Sequence, residues 1–243
     1  MNKEIVFIVG ASSDIGIDLI KNINDDCIII AHYYSSKEKI TDLIAASRNE
    51  IIPISANLSK EDEVLKMLDT IEKKYGVPNK IIHLAAPRVK NIRFKSIKWE
   101  DFEQDIQVSV KSAVLIFHRF LPKLAKLKKG KVVIMLSSYV IGVPPKALAH
   151  YTTIKYAMLG LMKSLASEYS NKNIQINAVS PSMCETKFLE NINSKIVELN
   201  AYHHPLKRNA LVGDVTPIIK MLMSKESNYM NGVNIPITGG SVF

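Results

Sequence analysis

The sequence IVFIVGASSDIG at residues 5–16 joins a short apolar run to a turn that contains glycine. The run, residues 5–9, has the length and the β-branched content of a buried strand. Gly10 and Gly16 bracket the turn, which leads directly into a helical pattern. Glycine allows a tight turn and close backbone approach, and the N–H groups of a first helical turn attract an anion. In this context the turn predicts a site for a dinucleotide pyrophosphate, and an ordinary strand-to-helix turn is the alternative.

The same alternation continues along the chain. Strand-length apolar runs occupy residues 27–31, 51–54, 80–84, 131–136, 174–179 and 233–237. Helix-length segments lie between them, at residues 15–24, 37–47, 61–75, 99–128 and 151–169. Runs that are apolar throughout are typical of strands buried on both faces of a parallel sheet. The sequence therefore predicts an α/β protein in which residues 1–243 form a single domain.

Composition limits the function classes. The 243 residues are 47% apolar and 23% charged, an ordinary globular composition that excludes disordered, collagen-like and disulfide-rich proteins. Cys27 and Cys184 form no metal or redox motif, so we expect no metal site and a cytoplasmic location. No apolar run reaches the length of a membrane span or a secretion signal.

The net charge of +9 invites a nucleic-acid or acidic-membrane interpretation. The excess charge is spread out, and its densest run, within residues 123–131, follows an apolar helical pattern, so we expect a solvated helix end there. No nucleic-acid motif accompanies this run. We therefore expect no nucleic-acid and no membrane partner, and a surface suited to an anionic cofactor or substrate.

The end of the second apolar run indicates the cofactor. An acid there binds the ribose 2′-hydroxyl of NAD, whereas a basic or hydroxyl-rich turn admits the 2′-phosphate of NADP. Residues 32–37 read HYYSSK, and no acid occurs before Glu38. Ser35, Ser36 and Lys37 can coordinate a phosphate. The sequence thus predicts NADP(H) as the preferred cofactor, with NAD(H) as the second option.

Tyr151 and Lys155 form a YxxxK pair, and Ser138 precedes the tyrosine by thirteen residues. On a helix the i,i+4 spacing places the lysine one turn along from the tyrosine. Carbonyl reduction needs a proton donor, and a nearby ammonium lowers the pKa of a phenol from about 10. We expect Tyr151 to be the acid–base group, Lys155 to lower its pKa, and Ser138 to orient the substrate oxygen. YxxxK alone occurs by chance in many helices, so this hypothesis depends on the serine and the glycine turn.

These three features together resemble the short-chain dehydrogenase/reductase family over essentially the whole chain, and most of all its branch similar to 3-oxoacyl-(acyl-carrier-protein) reductases. Residues 177–181 and 237–240 also look like segments of that family. The resemblance implies a Rossmann-like, doubly wound parallel sheet of about seven strands with helices on both faces. It further implies an NAD(P)(H)-dependent oxidoreductase acting on a small-molecule carbonyl substrate. A homo-oligomer, either a dimer or a tetramer, would form through residues 99–128 and 151–169.

The resemblance also implies site residues. The cofactor would be bound by Gly10, Ser12, Ser13, Asp14, Ile15, Gly16, Ser35, Ser36, Lys37, Asn57, Leu58, Ala85, Ala86, Tyr151, Lys155, Pro181 and Thr186. Asp14 departs from the family, which has a glycine there. Ser109 falls where the family has an asparagine that holds a proton-relay water near the lysine, so we expect an altered relay at Ser109.

Residues 183–214 are the least regular stretch and are predicted to be a substrate loop, because such loops follow the carboxyl ends of strands. His203 and His204 in this stretch lack acidic partners at ligand spacing, so we expect them to be solvated. The cations of residues 86–97 could attract an anionic substrate, and a solvated basic loop is the alternative.

Three functions fit the sequence. The first is a reductase of a 3-oxoacyl thioester or a similar ketone. The second is a dehydrogenase or reductase of a sugar or nucleotide sugar. The third is a weakly active nucleotide-binding scaffold, which the presence of all three chemical residues disfavours. A fold does not select a substrate.

Overall fold

The computed structural model describes residues 3–45 and 47–243, and within them seven parallel strands form one sheet. The strands are β1 (Glu4–Val9), β2 (Cys27–Tyr33), β3 (Glu50–Ser55), β4 (Lys80–His83), β5 (Gly130–Met135), β6 (Ile174–Pro181) and β7 (Asn234–Ile237). Their order is β3-β2-β1-β4-β5-β6-β7. The strand order reverses between β1 and β4, which opens a crevice at the carboxyl ends of these two strands. The sheet confirms the predicted Rossmann-like, doubly wound fold.

Helices cover both faces of the sheet. They are α1 (Asp14–Asn22), α2 (Glu38–Ile44), α3 (Glu61–Lys74), α4 (Trp99–Asp105), α5 (Ser112–Leu127), α6 (Ala149–Glu168), α7 (Ser194–His203) and α8 (Val212–Met223). Apolar side chains of α3, α5 and α6 pack on one face, and those of α1, α2 and α8 pack on the other. Each fully buried leucine or isoleucine contributes roughly 2 kcal/mol, so this two-sided packing stabilises the fold.

The long helix predicted over residues 99–128 is interrupted. Its middle part, Ile106–Lys111, is π-helical and separates α4 from α5. π-Helical turns insert an extra residue per turn and are frequent at functional sites. The hydroxyl of Ser112 donates to the carbonyl of Val108 at 2.6 Å just where α5 begins.

The stretch predicted as a loop, residues 183–214, contains α7. Asn193 caps this helix by accepting a hydrogen bond from the Lys195 N–H. His204 is 6% exposed, and its Nε2 contacts the Thr238 carbonyl at 2.8 Å, so the prediction that it is solvated was wrong. The reason is tertiary, because the residue that follows α7 docks on the carboxyl-terminal segment.

The helix α8 was missed in the sequence. Its buried residues Val215, Ile219 and Leu222 recur at helical spacing, which is the signal that could have located it. Asp214 accepts a hydrogen bond from the Leu211 N–H at 2.8 Å and so caps the first turn.

The basic run within residues 123–131 is not simply a solvated helix end. Lys123 pairs with Glu72, and Lys129 lies 2.8 Å from Glu4. Lys131 is half-buried and donates to the Ser227 hydroxyl at 3.0 Å. Across the described residues, no helix combines the length and apolarity needed to cross a membrane.

Two buried histidines connect elements of the fold, His32 between strand ends and His83 between β4 and the start of α5. Nδ1 of His32 accepts from the Gly10 N–H at 3.1 Å, and its Nε2–H donates to the Ala56 carbonyl at 3.1 Å. Nε2 of His83 lies 3.2 Å from the Ser112 hydroxyl. Burial lowers the pKa of His32 to about 4 and that of His83 to about 3, where the Lys155 charge adds to the effect. Both imidazoles are therefore neutral in the folded protein at pH 7.

These pKa values predict acid destabilisation. Between pH 6.5 and about 4 the unfolded chain binds protons that the folded chain excludes, so the free energy of unfolding falls as the pH falls. The slope is at most about 1.4 kcal/mol per pH unit for each histidine. In urea denaturation series across this range we expect His83→Asn to flatten the slope. His118→Asn, at an exposed position, should leave the slope unchanged, and equal slopes for both variants would contradict the prediction.

Candidate active site

The turn after β1 requires glycine at two positions. Gly10 has φ +84°, and a Cβ there would lie 3.1 Å from the Ala85 nitrogen at the end of β4. A Cβ on Gly16 would lie 2.5 Å from the Ala11 carbonyl oxygen. Ser13 caps α1, because its hydroxyl accepts from the Gly16 N–H at 3.1 Å and donates to the Gly10 carbonyl at 2.8 Å. The turn therefore leaves the amino end of α1 open to the crevice, and this cradle fits the pyrophosphate of a dinucleotide.

A cavity of about 700 Å³ runs along the carboxyl ends of the strands from this turn to Tyr151. This volume is typical of a ligand or cofactor site. Many residues predicted for cofactor binding line it, namely Gly10, Ser12, Ser13, Asp14, Ile15, Ser35, Ser36, Ala85, Ala86, Tyr151, Lys155, Pro181 and Thr186.

Other predicted residues do not line the cavity. Gly16 is packed beneath the turn. The Asn57 amide oxygen accepts from the N–H and the hydroxyl of Ser59, at 3.0 and 2.8 Å, so this side chain is engaged locally. Leu58 is buried in the core, and Ser109 is 3% exposed within the π-helical segment.

The lysine in the cavity wall is Lys39 rather than Lys37. Lys37 immediately precedes α2 and is exposed. Lys39 lies in the first turn of α2, and its Nζ lies 3.4 Å from the Ser12 carbonyl oxygen. The sequence pattern favoured Lys37 because it lies nearer the end of β2. The start of α2 instead turns the next lysine, Lys39, toward the glycine turn.

The serine that lines the cavity is Ser137 rather than Ser138. Ser138 begins a 3-10 turn, Ser138–Val140, and is 6% exposed. The Ser137 hydroxyl accepts from the Tyr139 N–H at 3.4 Å and faces Tyr151. The spacing from Tyr151 pointed to Ser138, but the turn that begins after Ser137 directs the Ser138 side chain into the core.

Tyr151 and Lys155 lie on α6, as the YxxxK spacing predicts. The Lys155 side chain is buried, with Nζ 5.5 Å from the Tyr151 ring centroid and 2.9 Å from the Met135 carbonyl oxygen, to which it donates. Burial lowers the pKa of Lys155 to about 8, although the Asp105 charge opposes this shift.

Burial raises the pKa of Tyr151 above its ordinary value, and the contact with the Ser137 hydroxyl opposes this shift only in part. Desolvation of the phenolate therefore sets the direction of this shift, and the expected lowering of the Tyr151 pKa by Lys155 stays a prediction. The phenol is a protonated group near neutral pH, which suits a proton donor.

The segment after β6 closes the cavity. Asp14 accepts a hydrogen bond from the Lys187 N–H at 2.7 Å, and Arg88 lies 2.9 Å from Glu190. This segment and α7 contribute six apolar side chains to the cavity wall, namely Met183, Phe188, Leu189, Ile192, Ile196 and Leu199, beside the polar Ser182, Thr186, Lys187, Asn200 and His203. The described part of the chain has no group of three His, Cys, Asp or Glu side chains placed to hold a metal ion.

Known proteins resemble the chain over almost its full length. A family model described as enoyl-(acyl carrier protein) reductase matches residues 11–241. The 3-oxoacyl-(acyl-carrier-protein) reductase of Staphylococcus epidermidis is 26% identical over 246 residues, which cover 99% of this chain and 99% of that protein. The structure of ElxO with NADP bound has a TM-score of 0.86 at 23% identity, covering 98% of each chain. A gluconate 5-dehydrogenase from Burkholderia cenocepacia has a TM-score of 0.89 at 16% identity, covering 99% of this chain and 95% of the other.

The hydrogen bond from the Lys187 N–H to Asp14 holds the segment after β6 against the glycine turn, and its contribution can be tested. Asp14→Ala removes the acceptor, so we expect the Lys187 amide to exchange with deuterium roughly tenfold faster, in line with the loss of a charge-assisted hydrogen bond. Asp14→Asn keeps an acceptor oxygen and should have a smaller effect. Asp18→Ala, which breaks the bond from Thr216 instead, serves as the control. Unchanged exchange in Asp14→Ala would contradict the prediction.

Proposed function

The chain belongs to the short-chain dehydrogenase/reductase family of oxidoreductases, and from this premise we propose that it is an NADP(H)-dependent reductase of a 3-oxoacyl thioester or a similar ketone. The observation that carries the proposal is the continuous cavity between the glycine turn and Tyr151. This cavity joins a phosphate cradle to a tyrosine, a lysine and a serine, which is the arrangement that hydride transfer to a carbonyl requires.

The preference for NADP(H) is supported by the far end of the cavity. Ser35, Ser36 and Lys39 line it beside the end of β2, and none of the described carboxylates lines that end. A 2′-phosphate would find two hydroxyls and one ammonium there. Similar structures are described with NADP, NADPH and, in one case, NAD bound. NAD(H) therefore stays the second option.

The chemistry follows from the side chains. A bound nicotinamide cofactor would supply the hydride. Ser137 donates a hydrogen bond to the carbonyl oxygen and orients it. Tyr151 gives its phenolic proton to the same oxygen as the alcohol forms, and its raised pKa keeps that proton in place until charge develops on the oxygen. Lys155, when charged, stabilises the tyrosinate that remains.

The side chains of the cavity wall indicate the substrate class. The ring of Phe188 lies 6.2 Å from that of Tyr151, Leu189 lines the same cavity, and Ile196 and Leu199 are 43% and 56% exposed on α7. Apolar side chains left open to a cavity match an acyl chain, whereas a sugar needs several converging polar groups. Lys146 and Lys187 also line this cavity and suit an anionic carrier group.

Replacement of Tyr151 by phenylalanine tests the reaction. We expect the rate of NADPH oxidation with an acetoacetyl thioester to fall at least about 100-fold, because the proton donor is lost. NADPH affinity, measured by fluorescence titration, should stay the same. A keto sugar should be a poorer substrate for the parent protein than the thioester.

The control for this experiment is Tyr156→Phe, a half-exposed tyrosine on the same helix, which should keep full activity. The same assay separates the two serines, since Ser137→Ala should lower the rate more than Ser138→Ala. Full activity in Tyr151→Phe would refute the proposed role of the phenol.

Replacement of Lys39 by alanine tests the cofactor. We expect the dissociation constant of NADPH to rise roughly tenfold or more, because a charge-assisted contact with the 2′-phosphate is lost. The affinity for NADH should not change. Lys37→Ala is the matched control and should alter neither affinity. Equal losses for the two nucleotides would contradict a role in binding the 2′-phosphate.

A further inference from the structure

The helix α7 forms part of the cavity wall without packing into the core. All ten of its residues lie in the described part of the chain, and none of them is buried. One face of the helix presents Ile196, Leu199, Asn200 and His203 to the cavity, at the spacing of residues on neighbouring turns. Most helices in proteins are held by apolar packing, which α7 largely lacks, so its placement depends on polar contacts.

Asn209 supplies such contacts from a fixed position. It is 1% exposed and lies beside a backbone link to the segment after β6. In this link the Ala210 N–H donates to the Met183 carbonyl and the Glu185 N–H donates to the Ala210 carbonyl, both at 2.9 Å. Nδ2 of Asn209 donates to the Val197 carbonyl at 3.1 Å and to Oε1 of Glu185 at 3.2 Å. Asn209 thus connects the middle of α7 to the segment after β6.

These contacts fix the orientation of a second amide. Nδ2 of Asn209 faces two acceptors, so the atom that faces Asn200 is Oδ1. Nδ2 of Asn200 donates to this oxygen at 2.8 Å. Oδ1 of Asn200 is the atom left over, since no described residue donates to it, and it is accessible rather than enclosed. Because Asn200 lines the cavity, it offers a hydrogen-bond acceptor there.

The surroundings of Asn200 indicate the group that it would bind. An amide oxygen accepts hydrogen bonds and cannot donate them, so it selects a ligand that carries an N–H or an O–H. Ile196 lies one turn before Asn200 and Leu199 directly precedes it, so the acceptor stands beside apolar side chains of the wall. A sugar would leave several hydroxyls without partners against such a face. A mostly apolar arm with a single secondary amide fits it better.

We propose that Asn200 is a specificity-determining residue that accepts a hydrogen bond from a secondary amide in the thioester arm of the substrate, and that Asn209 is the positioning residue that orients it. This rests on the proposed function, because a thioester arm is what carries the amide. It adds a preference to that function. A thioester with an amide in its arm binds more tightly than one with an ester at the same place.

The test compares two ligands that differ in one group. They are the acetoacetyl thioester of N-acetylcysteamine and its O-acetyl analogue, in which an oxygen replaces the amide N–H. Isothermal titration calorimetry with NADP⁺ present measures binding without turnover, because NADP⁺ has no hydride to give to a ketone. We expect the parent protein to bind the amide roughly tenfold more tightly, as the loss of one hydrogen bond implies. Equal affinities, binding of neither thioester, or tighter binding of a keto sugar each overturn the proposal.

Two substitutions assign the preference to residues. In Asn200→Ala it should disappear, because the acceptor is removed, and the surface position of Asn200 lets this variant fold even if Asn209→Ala does not. In Asn209→Ala it should fall to about threefold or less, and the amides of α7 should exchange with deuterium faster. Asn191→Ala, at an exposed asparagine before α7, is the control and should keep the parent preference. A preference that survives in Asn200→Ala or in Asn209→Ala refutes the role of that residue.

The same measurements separate this proposal from the proposed function. A parent protein that binds the amide thioester more tightly but oxidises no NADPH with it refutes the reductase function alone. An active parent that binds both thioesters equally refutes the role of Asn200 alone.

Discussion

The contact between the turn after β1 and the end of β4 is the constraint on which the site depends. Gly10 lies so near Ala85 that a side chain would collide with backbone, and its positive φ is a conformation that glycine adopts freely. This close approach occurs where the strand order reverses, so the turn, the end of β4 and the end of β5 open onto one crevice. The phosphate cradle and the reactive side chains can share a cavity because these strand ends are adjacent.

Desolvation determines the charge states in and below this crevice. It keeps His32 and His83 neutral, raises the pKa of Tyr151 and lowers the pKa of Lys155 toward 8. The uncharged imidazoles can then act as fixed hydrogen-bonding links, His32 to the end of β1 and His83 to the start of α5. In the reaction that we propose, the same effect keeps the phenol protonated and moves the titration of Lys155 toward neutral pH.

Much of the fold was predictable, because its signals are local. Each strand of the sheet was located within two residues at either end, since strands buried on both faces appear as continuous apolar runs. The glycine turn, the YxxxK pair and thirteen of the residues that line the cavity followed from motifs. The π-helical segment was not predictable from apolar spacing, and α7 was missed because its amphipathic pattern is weak. Ser137 and Lys39 were missed because the direction of a side chain just beyond an element depends on the turn that follows.

The sequence by itself determined the positions of the seven strands along the chain, the glycine turn and the spacing of the tyrosine and lysine. These features depend on contacts between residues close in the chain, which periodicity and residue type report directly. The tertiary structure decided which serine and which lysine line the cavity, how His204 is buried, and that Asp105 on α4 meets His150 on α6. Those relations join residues far apart in sequence, and burial, which sets their charge states, exists only once the helices have packed on the sheet.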